Sequence, residues 1–389
     1  MKKTLVAIAA LAAFGAQAQS SVQLDGVVDA GYQSVNYKGN TVNGIAGNGS
    51  STSQLNVRGT SDLGGGLKST FRVETDWNMV SNFANTGTST GVNSTSSANS
   101  INGAGGTFGN GEIRVGLESA SMGQIHLGAV NYNTLGTFLT GQPFGTAIGS
   151  GFRTFYINDA QATSSVRAEN AVKLVTPTFS GINASFYKSN KQTKATTVAA
   201  AGTSTTGLIT QPNAFSSSIG AYDQVGTQEI GVNYANGPIA ASYSSLKQDF
   251  VGVSGVNGSL AAAGTTESTV NTLGANYTMG AAKFFLLNQT NKTNTSSTDN
   301  KATTVSATYT MGNIVLMGQT GSLKNAAGVK SNLTGYGADY NLSKTTAVYF
   351  RAESINDKAG AMNAAVTPGA IKGTDTKFAR TALGLRVAF

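Results

Sequence analysis

The chain of 389 residues contains no cysteine, so disulfides and thiolate metal sites are excluded as sources of stability or chemistry. It has one histidine, His126, and five prolines: Pro143, Pro177, Pro212, Pro238 and Pro368. Charged residues make up only 11% of it. No segment approaches twenty consecutive apolar residues, which excludes a transmembrane helix. Scarce charge with 49 glycines and abundant Ser, Thr and Asn would, on composition alone, point to disorder. Strict apolar/polar alternation in many short segments argues against disorder and for strands. The length leaves room for two or three soluble domains, but all-β barrels run this long as one.

What is present begins with an export signal. Lys2 and Lys3 form a basic start, Leu5 to Gly15 a short apolar stretch, and Ala16-Gln17-Ala18 a cleavage site. Residues 1–18 are read as a signal peptide and residues 19–389 as a single β domain. Removing the two lysines lowers the basic count from 26 to 24 against 18 acids, a net charge of +6.

The final segment, Lys377 to Phe389, alternates cleanly. Ala379, Thr381, Leu383, Leu385, Val387 and Phe389 share one face, and Arg380 and Arg386 lie among small residues on the other. The same division recurs along the chain. In the first strand, Val22, Leu24, Val28 and Tyr32 oppose Asp25, Asp29 and Gln33. Leu55 and Val57 oppose Arg58, and Leu67, Phe71 and Val73 oppose Lys68, Arg72, Glu74 and Asp76. Ile113, Val115 and Leu117 oppose Glu112, Arg114 and Glu118. Ile125 and Leu127 oppose Gln124 and His126, and Val172 and Leu174 oppose Lys173. Charges crowded on one strand face need water, so that face is no dry core.

Four later hairpins each end a strand on tyrosine before a tight turn, at Tyr234, Tyr277, Tyr309 and Tyr340, spaced 43, 32 and 31 residues apart. Aromatic rings gathered at one end of every hairpin form a girdle at a membrane interface. An open soluble sandwich has no use for one. Sixteen strands are counted, an even number suited to an antiparallel barrel with greasy outside and watery inside. In Lys283 to Gln289 and Ile314 to Gln319 both faces are apolar, so alternation does not assign their inward residues. The prolines all fall in expected turns or loops, as strand chemistry requires.

Three motifs admit a chemical reading. Gly64-Gly65-Gly66-Leu67-Lys68-Ser69 fails as a phosphate loop because no glycine directly precedes the lysine, and it reads as a hairpin turn. His126 is expected on a polar wall, not beside a nucleophile. Asp25 and Asp29 are two carboxylates without further ligands, too few for a calcium site. No metal or cofactor is called for, and the basic residues are spread over strand faces, not clustered for nucleic acid.

The sequence resembles the trimeric general porins of β-proteobacterial outer membranes along the whole mature chain. The resemblance rests on S-S-V-Q-L-D-G-V-V-D-A-G at Ser20 to Gly31, G-T-S-D-L-G-G-G-L-K at Gly59 to Lys68, and P-T-F-S-G at Pro177 to Gly181. It continues in Y-A-N-G-P from Tyr234, A-D-Y-N-L-S-K from Ala338 and the terminal L-G-L-R-V-A-F. It implies an all-β fold, a sixteen-stranded antiparallel transmembrane β-barrel with an inward-folded third loop. The implied activity is passive diffusion of small hydrophilic solutes and ions, without catalysis.

The resemblance also implies residues 132–169 as the constriction loop, and Arg58, Lys68, Arg72 and Arg114 as basic residues facing the narrowing. Lys173, Arg380 and Arg386 join them by parity, and Arg153 and Asp159 by their place in the loop. The loop is poor in acids, with Asp159 and Glu169 beside Arg153 and Arg167, which implies a weak anion preference. The chain departs from the family at Asp25, where an aromatic is usual, and at Ala129, where a basic residue is common. Expected partners are outer-membrane lipid and lipopolysaccharide, two further copies in a homotrimer, and the barrel-assembly machinery, which would read Phe389. Nucleic acid is not among them. The alternatives are a solute-specific channel using Phe138, Phe144, Phe152, Phe155 and Tyr156, a barrel enzyme using His126, and a soluble adhesive sandwich.

Overall fold

A computed structural model of the chain describes residues 20–37, 40–77, 108–152, 166–193, 198–200, 203–205, 224–251, 265–294, 299–358 and 377–389. The expected signal peptide lies outside them. The strands are β1 (Ser21–Tyr37), β2 (Asn40–Gly47), β3 (Gln54–Gly64), β4 (Leu67–Asp76), β5 (Ile113–Ser119), β6 (Gly123–Asn131), β7 (Arg167–Val175) and β8 (Ile182–Thr193). A small hairpin, β9 (Val198–Ala200) and β10 (Thr203–Thr205), follows. Then come β11 (Gln224–Asn236), β12 (Ile239–Val251), β13 (Thr265–Met279), β14 (Ala282–Thr293) and β15 (Asn300–Met311). The last are β16 (Ile314–Asn325), β17 (Lys330–Asn341), β18 (Thr346–Asn356) and β19 (Lys377–Ala388).

Every ladder is antiparallel, and the ring closes where β1 pairs with β19, from Val27 opposite Ala388 to Tyr37 opposite Phe378. Closure leaves no unpaired strand edge, the condition for a sheet in lipid. The barrel has sixteen staves because β2 and β3 share one place. β2 pairs with the upper half of β1 and β3 with its lower half. Between them, residues 48–53 leave the ladder. Asp29 holds this excursion: its carboxylate accepts the N–H groups of Gly49, Ser50 and Ser51 at 3.2, 2.9 and 2.7 Å and the Tyr349 hydroxyl at 2.6 Å.

Outward parity is as the alternation predicts. Val22, Leu24, Val115, Leu127, Leu174, Ile230, Val305, Leu383 and Leu385 are all exposed, as are the turn tyrosines Tyr277, Tyr309 and Tyr340. Gly26 is the exception that explains itself. A Cβ there would lie 2.7 Å from the Phe389 ring and 2.4 Å from the Gln54 carbonyl oxygen. The bare backbone lets the last aromatic lie flat over β1, where the Phe389 N–H and carbonyl bond to Gly26 at 3.0 Å each.

Two expectations change. The Gly- and Asn-rich stretch after β1, which shows no apolar/polar alternation and would be expected as a loop, forms β2. β7 begins at Arg167, so Arg167 and Glu169 belong to the wall and not to the preceding loop. A register shift between Gly128 and Val130, with Asn170 at φ 51°, marks the bulge that hides this start from alternation. The loop also contains a helix that its composition did not announce, α1 (Asn133–Thr140).

Candidate functional site

The inward wall has two unlike halves. The first, on β3 to β6, is charged. Register sets Arg58 opposite Arg72, and Arg72 opposite Arg114, so three arginines form one row across three strands. Like charges directly opposite are destabilising, and here carboxylates offset them. Arg58 pairs with Asp25 at 2.5 Å. Arg72 pairs with Glu74 and, at 2.9 Å, with Glu112. Arg114 reaches Glu118 at 3.2 Å and Glu112 at 3.7 Å. Glu118 also takes His126 Nε2 at 2.9 Å, and Arg167 lies 3.9 Å from both Glu74 and Asp76.

Exposure orders these pairs. The Arg58 side chain is 48% exposed against 18% for Asp25. Arg72 is 23% exposed against 9% for Glu74. Glu118, at 28% against 19% for Arg114, and Asp76, at 32% against 16% for Arg167, are more open than the arginines they meet. Water inside the barrel therefore meets guanidinium groups first, with most carboxylates set behind them.

The second half of the wall is apolar and covered. Val35, Leu287, Ala302, Leu323, Leu333, Ile355 and Phe378 are buried inward residues on β1 and β14 to β19, and they pack with Phe138, Phe152 and Val166. This bears on the doubly apolar stretch Lys283 to Gln289: Phe284 and Leu286 are exposed on the outer face, while Phe285 and Leu287 are buried, Leu287 in one cluster with Phe138 and Phe152. A second cluster joins Tyr132 to Val130, Ala171, Tyr187, Leu246 and Val270.

Polar latches fix the segment 132–152 at both ends. Glu229, buried on β11, accepts the N–H of Asn133 at 2.5 Å and of Thr134 at 2.6 Å, at the start of α1. A carboxylate there satisfies free helix donors and meets the positive end of the helix dipole. Glu353 on β18 accepts the N–H groups of Gly149 at 3.0 Å and Gly151 at 2.8 Å, with Arg380 held at 2.8 Å behind it. Gln319 donates to the Ser150 carbonyl at 3.1 Å, and Asn276 to the Thr140 carbonyl at 2.8 Å. The wall has glycine where backbone meets backbone. A Cβ on Gly274 would sit 2.1 Å from the Thr137 carbonyl oxygen, and one on Gly335 would sit 2.3 Å from that of Gly149.

The residues singled out from the sequence separate accordingly. Arg58, Arg72 and Arg114 come together in one row. Lys68 stands exposed beside the β3–β4 turn, on the inward parity of β4. Lys173 is drawn to the Asn131 carbonyl at 2.9 Å. Arg380 serves the Glu353 latch. Arg386 faces Asp29 across the β1–β19 ladder. Arg153, Asp159, Phe155 and Tyr156 lie outside the described residues. The latches Glu229 and Glu353 were readable as inward by parity. Their partners, 95 and 204 residues away, were not.

A family model of Gram-negative porins matches residues 4–360. The chain is 32% identical over 373 residues to outer membrane porin protein 32 of Delftia acidovorans, covering 92% of this chain and 90% of that one. It is similar to the solved anion-selective porin from Comamonas acidovorans, with a TM-score of 0.69 and 25% identity over 95% of this chain and 100% of that one. The trimer form of OmpT from Vibrio cholerae shares the fold, with a TM-score of 0.58 at 12% identity over 95% of this chain and 99% of that one. A closed sixteen-stave barrel with apolar outer faces, an aqueous charged inner wall and these relatives agree: the chain belongs to the Gram-negative porin family, channels of the outer membrane through which small hydrophilic solutes diffuse passively.

Proposed function

We propose that the channel prefers anions weakly and that its narrow zone lies between the inward segment, residues 132–152, and the arginine row Arg58–Arg72–Arg114. The observation that carries this reading is the order of exposure, guanidinium toward the lumen and carboxylate behind. In a confined, low-dielectric channel the nearest charge dominates the field that a passing ion meets. Lys68 and Arg386 have no carboxylate partner among the described residues and add to the same sign. Arg153, Asp159, Lys173 and Arg380 complete the proposed lining, the last two as supports. The name of the Comamonas relative, an anion-selective porin, is consistent with this sign.

The reading gives the protein no catalytic role, and His126 serves to hold Glu118 on the wall. Residues 1–18 direct export. Three copies associate through the outer faces around β1 and β19, and Phe389 is the group that the assembly machinery reads. The direct test is the zero-current potential of the protein in a planar bilayer across a salt gradient. An anion-selective sign is expected, and a cation-selective one overturns the proposed eyelet while leaving the fold intact.

A further inference from the structure

The inward segment shows little of itself to the lumen. Of residues 132–152, only Gly136 and Leu139 are exposed. Both lie on α1, with Leu135 and Thr140 half-buried beside them. Spacings of three and four residues put these four on one helix face. The other face is fastened to the wall: the Thr137 and Ser242 hydroxyls share a hydrogen bond at 2.6 Å, and Phe138 is fully buried. Because α1 packs on the inner side of β11 to β14, its free face looks across the lumen. That face is apolar. The Thr140 hydroxyl is turned back to the Gly136 carbonyl at 2.9 Å, and residues 132–152 contain no Asp, Glu, Lys or Arg. Leu139 is 43% exposed. Among the described residues, every other exposed large apolar side chain stands on an outward strand face or in a turn or loop outside the barrel bore. Phe138, Phe144 and Phe152 are buried and cannot meet a solute.

This apolar face stands across from the arginine row. Passing round the ring from β3 through β4 to β8 and on through β11 and β12, β13 is the eighth stave, half of the sixteen-stave circuit. β14 stands in the same relation to β4, so α1 and the arginines occupy opposite walls. Their heights agree, counted from the rim of short turns. Arg72 lies five residues above the start of β4 at Leu67, and Arg114 five above the end of β5 at Ser119. The anchors of α1 bracket that level. Glu229 lies seven residues above the end of β11 at Asn236, and Asn276 three above the end of β13 at Met279. A solute in the narrow zone therefore meets guanidinium groups on one side and hydrocarbon on the other.

We infer that Leu139 makes the channel select among anions, favouring small monocarboxylates with an apolar body. The carboxylate meets the arginine row, and the hydrocarbon lies on Leu135, Gly136 and Leu139. The inference rests on the anion preference proposed above and adds the class of anion. Guanidinium and carboxylate form charge-assisted hydrogen bonds. A methylene resting on one apolar surface loses about half of its contact with water, worth about a twofold gain in affinity. A dicarboxylate spanning the zone has no such gain, because its second charge would be desolvated against Leu139.

The test uses the full-length protein in a planar bilayer at neutral pH. Chloride current is titrated with acetate, butyrate and hexanoate, and with the dicarboxylates succinate and adipate. The half-blocking concentration should fall about twofold per methylene, hence about sixteenfold over the four that separate acetate from hexanoate. The dicarboxylates should show no gain with length. Leu139→Asn should flatten the monocarboxylate series, and Leu139→Met should keep it. Gly136→Leu supplies a gain of function: a Cβ there meets nothing within 4 Å, so the added side chain extends the apolar face and should steepen the series. A flat series in the parent overturns the inference, as does a gradient that survives Leu139→Asn or an equal gradient in the dicarboxylates. The zero-current potential in potassium chloride, read on the same bilayers, separates the two readings. A cation-selective parent removes the anion preference and this inference together. An anion-selective parent with a flat series removes this inference alone.

Discussion

Glu353 receives the backbone N–H of Gly149 at 3.0 Å across 204 residues of sequence, and with it the fold ties its inward segment to the far wall. The same carboxylate takes Gly151 and Arg380. In Glu353→Ala, two buried N–H groups and one guanidinium lose their acceptor. Each orphaned buried donor costs about 1–3 kcal/mol. The segment should loosen before the barrel does. The expected record is a larger and noisier single-channel conductance with a still heat-modifiable barrel, and an unchanged, quiet conductance would count against the latch.

Glu229→Ala should act at the other end of the segment. It removes the acceptor at the start of α1, a loss comparable to that of a helix cap, about 1–2 kcal/mol. Limited proteolysis between residues 132 and 152 reads it directly. The variant should be cut faster than the parent while strand content by circular dichroism stays constant.

Arg72→Ala and Arg114→Ala should each move the zero-current potential toward cations, because each leaves Glu112 short of a partner as well as removing a positive charge. Arg58→Ala, which removes the most exposed guanidinium, should shift it too, with the smallest loss of stability since exposed pairs contribute little. A potential unmoved in all three variants would mean the arginine row does not face the narrow zone.

Phe138→Ala should destabilise by about 3–5 kcal/mol, the usual cost of emptying a packed aromatic site. Phe138 is fully buried against Phe152 with ring centroids 5.2 Å apart. Urea denaturation followed by intrinsic fluorescence measures the loss. A Leu replacement, which fills more of the site, should recover part of it.

Gly26→Val should impair assembly as strongly as deletion of Phe389. Both remove the seating of the terminal ring on β1, one by collision and the other by absence. The folded fraction in outer-membrane preparations is the measurement. A normally assembled Gly26→Val barrel would separate the ring's position from its role.

Much of this molecule was legible because lipid and water sort side chains by parity. A strand between them must alternate, so the outward sets of β1, β5 and β19 and the charged inward row could be read directly. The parts that were not legible share one cause, contact with the chain itself. Leu287 and Leu323 look misplaced until residues 132–152 cover them. The stretch from Asn40 to Gly47 lacks alternation because it is composed largely of small and polar residues, and Arg167 is hidden by a bulge. Parity sees a strand's two solvents, and it does not see a third surface made of protein.

The seat for residues 132–152 draws heavily on later chain, β11 to β19, together with earlier residues of β1 and the excursion held by Asp29. That gives the pore a chronology. A nascent barrel lacking β18 has nowhere to dock Gly149, and its apolar inner belt is still bare. Contacts of such sequence separation form slowly. If the barrel closes before that docking, it passes through a wide-bore stage and becomes selective only afterwards. A cross-link between cysteines placed at Ser150 and Gln319, sampled during refolding into detergent, should lag behind the appearance of the heat-modifiable barrel.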